Sequence, residues 1–351
     1  MAYTGINKST EHFNTKLYTG TGSTQSITGL DFQPDFTWIK SRSDGLSHAL
    51  FDSIRGVTKV LNSNATTAEY TNTDTLTAFE SDGFSVGSNT GVNANGETRA
   101  SWNWKAGTSF TNDASATGIG TIDSTGSINT DAGFSIISYS GNSTSGATVG
   151  HGLGVTPSMI IVKRRTAGEQ WEVYHKTLGA TKRMALDTTG ASSASSSRWN
   201  NTEPTTSVFS LGNSGATNTS GSTYIAYCFA DVQGYSKFGS YTGNGNVDGT
   251  FIYTGFKPAF VMYKSSSGAY NWIMQDNKRA NPFNEINADV RANVSDAEAT
   301  STSYNDVDFL SNGIKLREDN NDQNGSGGTY IYMAFAEAPL VGTNNVPCTA
   351  R

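Results

Sequence analysis

Cysteine is almost missing from this 351-residue chain, which carries only Cys228 and Cys348. Two cysteines make no disulfide framework, and the expected state is two free thiols in a protein made in a reducing cytosol rather than one bridge. Histidine is nearly as scarce. His12, His48, His151 and His175 form neither a His-Glu-x-x-His pair nor a Cys/His group with zinc spacing, so the usual metal centres are not written here. Charged residues make up only 15% of the chain and the formal charge is −6, with Lys163-Arg-Arg165 the densest cationic run. Nucleic acid binding needs Lys and Arg gathered on one face to neutralise phosphates, and their dispersal argues against a nucleic-acid partner. No apolar run approaches the ~20 residues that span a bilayer. Met1-Ala-Tyr-Thr-Gly5 also lacks the charged start and apolar core of a secretory signal, so neither membrane insertion nor export is expected.

Proline is rare too, with seven in all, and three of them mark the organisation of the chain. Around Pro34, Pro157 and Pro258 one phrase is repeated. It opens with Tyr-x-Gly (Tyr18-Thr-Gly20, Tyr139-Ser-Gly141, Tyr241-Thr-Gly243), crosses a glycine-rich gap, and enters an apolar run in which Lys40, Lys163 or Lys264 stands six residues after the proline. A second apolar stretch follows at Gly83-Phe-Ser-Val86, Val208-Phe-Ser-Leu211 and Gly313-Ile-Lys-Leu316. Each copy closes with a glycine turn and an alternating strand ending Trp102-Asn-Trp104, Tyr227-Cys-Phe229 or Met333-Ala-Phe335. The period is about 100 residues, a length that commonly folds as a domain.

Periodicity then gives the fold class. Phe36-Thr-Trp-Ile39, Met159-Ile-Ile-Val162 and Phe260-Val-Met-Tyr263 are short continuous apolar runs that suit a strand buried on both faces. In the closing strands Trp102 and Trp104, Tyr227 and Phe229, and Met333 and Phe335 share one parity and are expected to face a core. Proline tolerates a strand's first residue and stiffens the entry, which is reason enough for the three prolines. No amphipathic helix of convincing length is present, although His48 to Arg55 and Trp171 to Leu178 have room for one turn. The expectation is an all-β chain of three tandem antiparallel β-sandwich, jelly-roll-like units at 13–107, 132–233 and 234–342. An N-terminal docking arm at 1–12, a polar linker at 108–131 and a tail at 343–351 complete the division. Residues 1–12 and 108–130 carry too few apolar side chains to pack on their own units, so both are expected to order only against something else. Units two and three, joined by a few residues, are expected to pack as a fixed pair.

No catalytic constellation is legible. There is no Gly-x-Ser-x-Gly elbow, and Gly146 to Gly154 lacks the Gly-Lys-Thr that completes a phosphate loop. Asp52 with Arg55, and Asp276 with Arg279, recur after the central run, while unit two has His175 and Leu178 there. They are read as turn-side ion pairs worth under about 1 kcal/mol. Asp319-Asn-Asn-Asp-Gln-Asn-Gly325 begins like a calcium loop but has Ile331 where the bidentate Glu belongs, and is read as a polar turn. No metal and no cofactor is expected. Exposed aromatics with nearby amides and carboxylates suit a sugar, and the residues offered for such contacts are Trp199, Asn200, Glu203 and Tyr270, all on loops. Two readings stay open for Trp199, a loop plug and a contact residue. Trp272 takes the place of Trp171 and is read as core.

The phrases Phe32-Gln-Pro-Asp-Phe-Thr-Trp-Ile-Lys40, His48-Ala-Leu-Phe-Asp-Ser-Ile-Arg-Gly56, Val149-Gly-His-Gly-Leu-Gly154 and Tyr330-Ile-Tyr-Met-Ala-Phe-Ala336 resemble a repeat family of tail-fibre and other virion proteins of tailed bacteriophages, of the marine and cyanobacterial podophage type. The resemblance runs from about Tyr3 to about Leu340. It implies a non-enzymatic virion structural protein assembled in the host cytoplasm, a tail fibre or tail-attached component contributing to host adsorption. Capsid decoration and non-catalytic glycan binding are the alternatives. The implied partners are other virion proteins of the tail body or fibre and a host surface glycan. A homo-oligomer is implied as well, fibres being usually trimers, although no heptad or β-helical repeat here enforces threefold symmetry.

Overall fold

The computed structural model describes residues 4–279, 284–300 and 305–341. The chain is all-β, built from antiparallel ladders, and its helices are single turns. Three inner sheets carry the same strand order of opening, closing, central and fourth strand. In lobe one these are Phe13–Thr19, Thr98–Trp104, Phe36–Ser41 and Ala49–Asp52. Lobe two uses Phe134–Ser140, Thr223–Phe229, Met159–Arg164 and Glu172–His175. Lobe three uses Ser236–Thr242, Thr329–Pro339, Phe256–Ser265 and Trp272–Asp276. The register is also shared: Phe36 lies between Trp104 and Asp52, Met159 between Phe229 and His175, and Phe260 between Phe335 and Asp276. The segments with room for a helical turn therefore start as strands.

The proline lies two residues before that position in each lobe. In lobes one and two the strand starts after it, whereas Pro258 sits within the strand at a bulge, where a missing N–H is tolerated. The Tyr-x-Gly opening has a steric cause. Tyr18, Tyr139 and Tyr241 donate their hydroxyls to Val92 O, Thr217 O and Gln323 O at 2.7, 2.8 and 2.7 Å. A Cβ on Gly20, Gly141 or Gly243 would lie 2.1, 2.4 and 2.4 Å from the carbonyl oxygens of Ala94, Thr219 and Gly325, so only glycine fits.

Each inner sheet has two buried faces. One packs on the lobe's own outer sheet: Gln25–Thr28, Gly83–Val86 and Leu76–Glu80 in lobe one, Ala147–Gly150 and Val208–Leu211 in lobe two, and Phe251–Tyr253, Gly313–Leu316 and Val307–Leu310 in lobe three. These sandwiches enclose private cores. The other face of all three sheets packs into one common core, which holds Trp102, Trp104, Tyr227, Phe229, Met333 and Phe335. The parity read from the closing strands is thus the parity that faces this shared core. Trp104, Phe229 and Phe335 occupy equivalent positions, and their ring centroids form a nearly equilateral triangle with sides of 6.3, 6.0 and 5.7 Å. The lobes are set around an approximate threefold axis.

Three expectations are corrected by this arrangement. Lobes two and three are not a separate pair, because lobe one contributes to the same core on equal terms. The supposed linker is structured: Thr108–Asn112 and Ser124–Asn129 form a hairpin that extends the lobe-two inner sheet from its opening strand. Edge strands of this kind are held by ladder hydrogen bonds and need little apolar content of their own. The described part of the arm packs on its own chain, with Ile6 in the shared core and the His12 ring edge-on to Tyr235 at 5.8 Å. Met1 to Tyr3, the tail at 343–351 and Cys348 lie outside the described residues, whereas Cys228 is a buried free thiol.

Candidate functional site

The titratable side chains singled out by sequence meet at the seams between lobes. Asp52 and Arg55 are fully buried, with Arg55 Nε 2.5 Å from Asp52 Oδ2, and Tyr227 of lobe two donates its hydroxyl to the same oxygen at 2.7 Å. Asp276 and Arg279 repeat the pair at 2.5 Å, and Trp102 Nε1 of lobe one donates to Asp276 Oδ2 at 3.0 Å. His175, the lobe-two counterpart, reaches Tyr332 O of lobe three at 3.2 Å. The small value expected for these pairs rested on solvent exposure and is corrected, since removing one partner of a buried pair costs several times more. Both arginines extend into the seams. Arg55 and Arg165 share Glu69 between lobes one and two, while Arg279 and Arg42 share Glu298 between lobes three and one. At the third seam Ser192 N and Oγ both donate to Ser266 O, at 3.0 and 2.9 Å, with no ion pair among the described residues at that place.

A second ring uses the lysines that stand six residues after each repeated proline. Lys163 Nζ donates to Thr66 O of lobe one at 2.8 Å, Lys264 to Thr189 O of lobe two at 3.0 Å, and Lys40 to Ser295 O of lobe three at 3.1 Å. Each ammonium also bonds carbonyls of its own lobe, such as Ser41 O and Asp44 O for Lys40. Burial lowers all three to about 8, which leaves them charged at neutral pH. Trp171 Nε1 to Asn62 O, Trp272 Nε1 to Ala185 O and His48 Nε2 to Arg291 O close a third ring at 2.9, 2.9 and 3.1 Å. Trp272 is core, as read from sequence, but it is core shared with a neighbouring lobe.

The buried histidines are held neutral. His48, His151 and His175 accept at Nδ1 from Trp38 Nε1, Leu153 N and Thr177 N, at 2.8, 3.2 and 3.3 Å, so Nε2 carries the proton and faces a carbonyl. Burial pushes them down to about 3, 4 and 4. These groups are fixed in place by structure and turned away from solvent.

The offered contact residues do not converge. Trp199 is 2% exposed and packs edge-on against Tyr174 at 6.0 Å, so its two readings resolve to the plug. It is therefore corrected as a contact residue. Glu203 lies on the surface, yet Oε2 accepts from Tyr174 at 2.6 Å and Oε1 from Ala180 N at 2.7 Å, which pins the loop. Asn200 adopts φ 53° and accepts from Ser145 Oγ at 2.9 Å. Tyr270, half-buried, belongs to lobe three and rests its ring on Gly268, apart from the other three. The calcium-like run supplies a structural side chain instead. Asn324 donates to Glu318 O and Asn246 O at 2.8 and 2.9 Å, as Asn93 does to Gly87 O and Ser23 O at 2.7 and 2.6 Å and Asn218 to Gly212 O and Thr144 O at 2.8 and 2.9 Å. The Asn-x-x-Gly spacing at 93–96, 218–221 and 324–327 is the signal that sequence reasoning passed over.

Open hollows lie on lobe two. A groove of about 610 Å³ runs between the added hairpin and the opening strand, lined by Asn112, Asp113, Thr121, Asp123, Ser138 and Asn142 among others. Asp113 caps the turn at Ala114–Thr117, and its bond from Ser115 Oγ holds its carboxyl below the usual range. A second hollow of about 550 Å³ is lined by Thr181, Ser195, Ser196, Ser197 and Asn201, beside the Trp199 loop. Hydroxyls, amides and a few carboxylates make both surfaces suited to hydrogen bonding a polyhydroxyl ligand.

The fold and its interior define an all-β protein of antiparallel sandwiches in which buried polar groups join lobes. Residues 8–339 match the family described as a domain of unknown function, DUF7483, and the chain belongs to that family. No curated protein matches the chain.

Proposed function

We propose that the chain is a non-enzymatic structural protein of a bacteriophage virion, a tail fibre or tail-attached component made in the host cytoplasm that contributes to host-surface adsorption. The observation that carries the reading is the use of the polar interior. Lysines and the neutral His48 and His175 tie the lobes together through backbone carbonyls, and the acid–arginine pairs do so through side chains of the neighbouring lobe, which suits a rigid assembly part. The resemblance of the repeated phrases supplies the virion context, and one chain with three similar faces about an axis suits a threefold fibre or tail part. The polar hollows of lobe two are then the surfaces offered to a host glycan. Locating the protein on purified virions by labelled antibody, together with competition of phage adsorption by the free protein, tests both halves. Label on the capsid faces instead of the tail, or label absent from virions, defeats the tail assignment, and unimpaired adsorption in the presence of excess protein defeats the recognition role.

A further inference from the structure

The outer sheets of the three lobes each end on a short edge strand, Gln25–Thr28, Ala147–Gly150 and Phe251–Tyr253, and the three edges are finished differently. In lobe two the chain covers its own edge. Thr121 N and Ile122 N donate to Thr148 O at 2.9 and 3.1 Å, Thr148 N returns a bond to Thr121 Oγ1 at 2.9 Å, and Ile122 bridges Val149 in parallel. The Ile122 side chain joins the private core of that lobe. Among the described residues nothing pairs with the edge of lobe one, but Gln25, Ser26 and Thr28 give a partner little apolar surface to bury.

Lobe three is the exception. The pairs Ile27–Phe84, Val149–Phe209 and Ile252–Ile314 are equivalent, which makes Phe251 the counterpart of Thr148. Thr148 turns its backbone groups outward to the covering segment, and Phe251 and Tyr253, two residues apart on one strand, do the same. The two residues are 43% and 56% exposed, with Val247 at 59% just before them. The Phe251 ring lies over Gly313, whose added Cβ would come 2.7 Å from it, so one ring face rests on the sheet while the residue stays largely uncovered among the described residues.

We infer that the Phe251–Tyr253 edge is a docking site for an extended segment of a partner polypeptide, adding in parallel as Thr121-Ile122 adds to lobe two. The segment places a β-branched apolar residue opposite Ile252, flanked by short polar residues as Thr121 and Asp123 flank Ile122. Main-chain hydrogen bonds to Phe251 and Tyr253 supply affinity, and packing of the apolar residue at the margin of the lobe-three core that holds Ile252 supplies selectivity. The site stands independently of the virion reading.

The probe is a peptide of the chain's own covering sequence, residues 117–125, added to the full chain and read by amide hydrogen exchange. At about ten times the Kd of the peptide, exchange at the Phe251 and Tyr253 amides slows about tenfold, and a peptide carrying Ile122→Asp protects neither. The double variant Phe251→Ser, Tyr253→Thr, which installs the residues lobe one carries at Ser26 and Thr28, keeps the unfolding midpoint and binds the peptide more weakly. The proposal is overturned by unchanged exchange at those two amides in saturating peptide, or by equal binding of the double variant or the Asp peptide. Protection that grows with protein concentration alone assigns the edge to a second copy of the chain, and protection by host polysaccharide but not peptide assigns it to a glycan; either overturns it as well.

Discussion

Asp52→Asn should weaken the whole molecule, not one lobe. The Asp52 carboxylate accepts from Ile54 N at 3.1 Å, Arg55 N at 2.8 Å, Arg55 Nε at 2.5 Å and the Tyr227 hydroxyl at 2.7 Å. An asparagine oxygen keeps the two backbone bonds, but its amide nitrogen meets Arg55 as a second donor. Arg55 is then left fully buried with Glu69 at 3.3 Å as its acidic partner. Breaking one side of a buried pair costs about 3–5 kcal/mol. Because the shared core and the seams join all three lobes, that loss should lower a single transition in urea, followed together by far-UV circular dichroism and by the fluorescence of tryptophans in all three lobes. Replacing both Asp52 and Arg55 by apolar residues of similar size should cost less than the single change, since no unpaired charge remains. A loss under about 1 kcal/mol would return the pair to surface character. A separate early transition confined to lobe one would refute the common core.

Acid should act through the histidines. His48, His151 and His175 have folded values near 3, 4 and 4, below the ordinary 6.5, so the stability they carry is complete above pH 6.5 and is lost as pH falls to about 4 for His151 and His175 and to about 3 for His48. Asp306, raised by burial to about 6, acts in the opposite sense over that range, so the imidazole resonances themselves are the measurement, and a ring from this trio titrating near 6.5 in the folded protein contradicts the assignment. Gly141→Ala should cost about 1–3 kcal/mol, because the methyl meets Thr219 O and overpacks the opening loop; an unchanged urea midpoint would show that the loop relaxes freely. Trp199→Ala should lower the same single transition by about 3–5 kcal/mol through cavity formation in the private core of lobe two while leaving glycan retention by the folded protein unchanged, and lost retention with intact stability would restore Trp199 as a contact. Host envelope polysaccharide incubated with the protein should yield no new reducing ends, and their appearance would overturn the non-enzymatic reading.

Sequence periodicity was informative about strands and less so about what they face. Trp102, Tyr227 and Met333 were legible as buried because alternation marks one face, but alternation is the same whether that face meets an outer sheet or two other lobes. The lysines illustrate the loss most clearly. Their fixed spacing after the proline was visible, yet their acceptors, Thr66, Thr189 and Ser295, are ordinary loop residues whose carbonyls carry no sequence signature. Thr108 to Thr130 was misread because an edge hairpin is held by main-chain bonds, so its low apolar content resembled that of a linker. Trp199 was ambiguous because one helical turn, Ser196–Trp199, is too short to show a face. The hollows on lobe two were not legible at all, being lined by Ser, Thr and Asn of the kind that fill every turn of this chain.

A core shared by three lobes sets an order of events during synthesis. Lys40 bonds a carbonyl 255 residues further along the chain, so the seam it closes waits for nearly the whole polypeptide. At about 5–20 residues per second, lobe one leaves the ribosome roughly 10–50 seconds before lobe three is complete. Throughout that interval the face carrying Trp102 and Trp104, and then that of Tyr227 and Phe229, has no partner to cover it. Nascent chains stopped after one or two lobes should therefore be sticky and chaperone-bound, and the arrival of the final strand, Thr329–Pro339, is the step that closes the shared core over those faces.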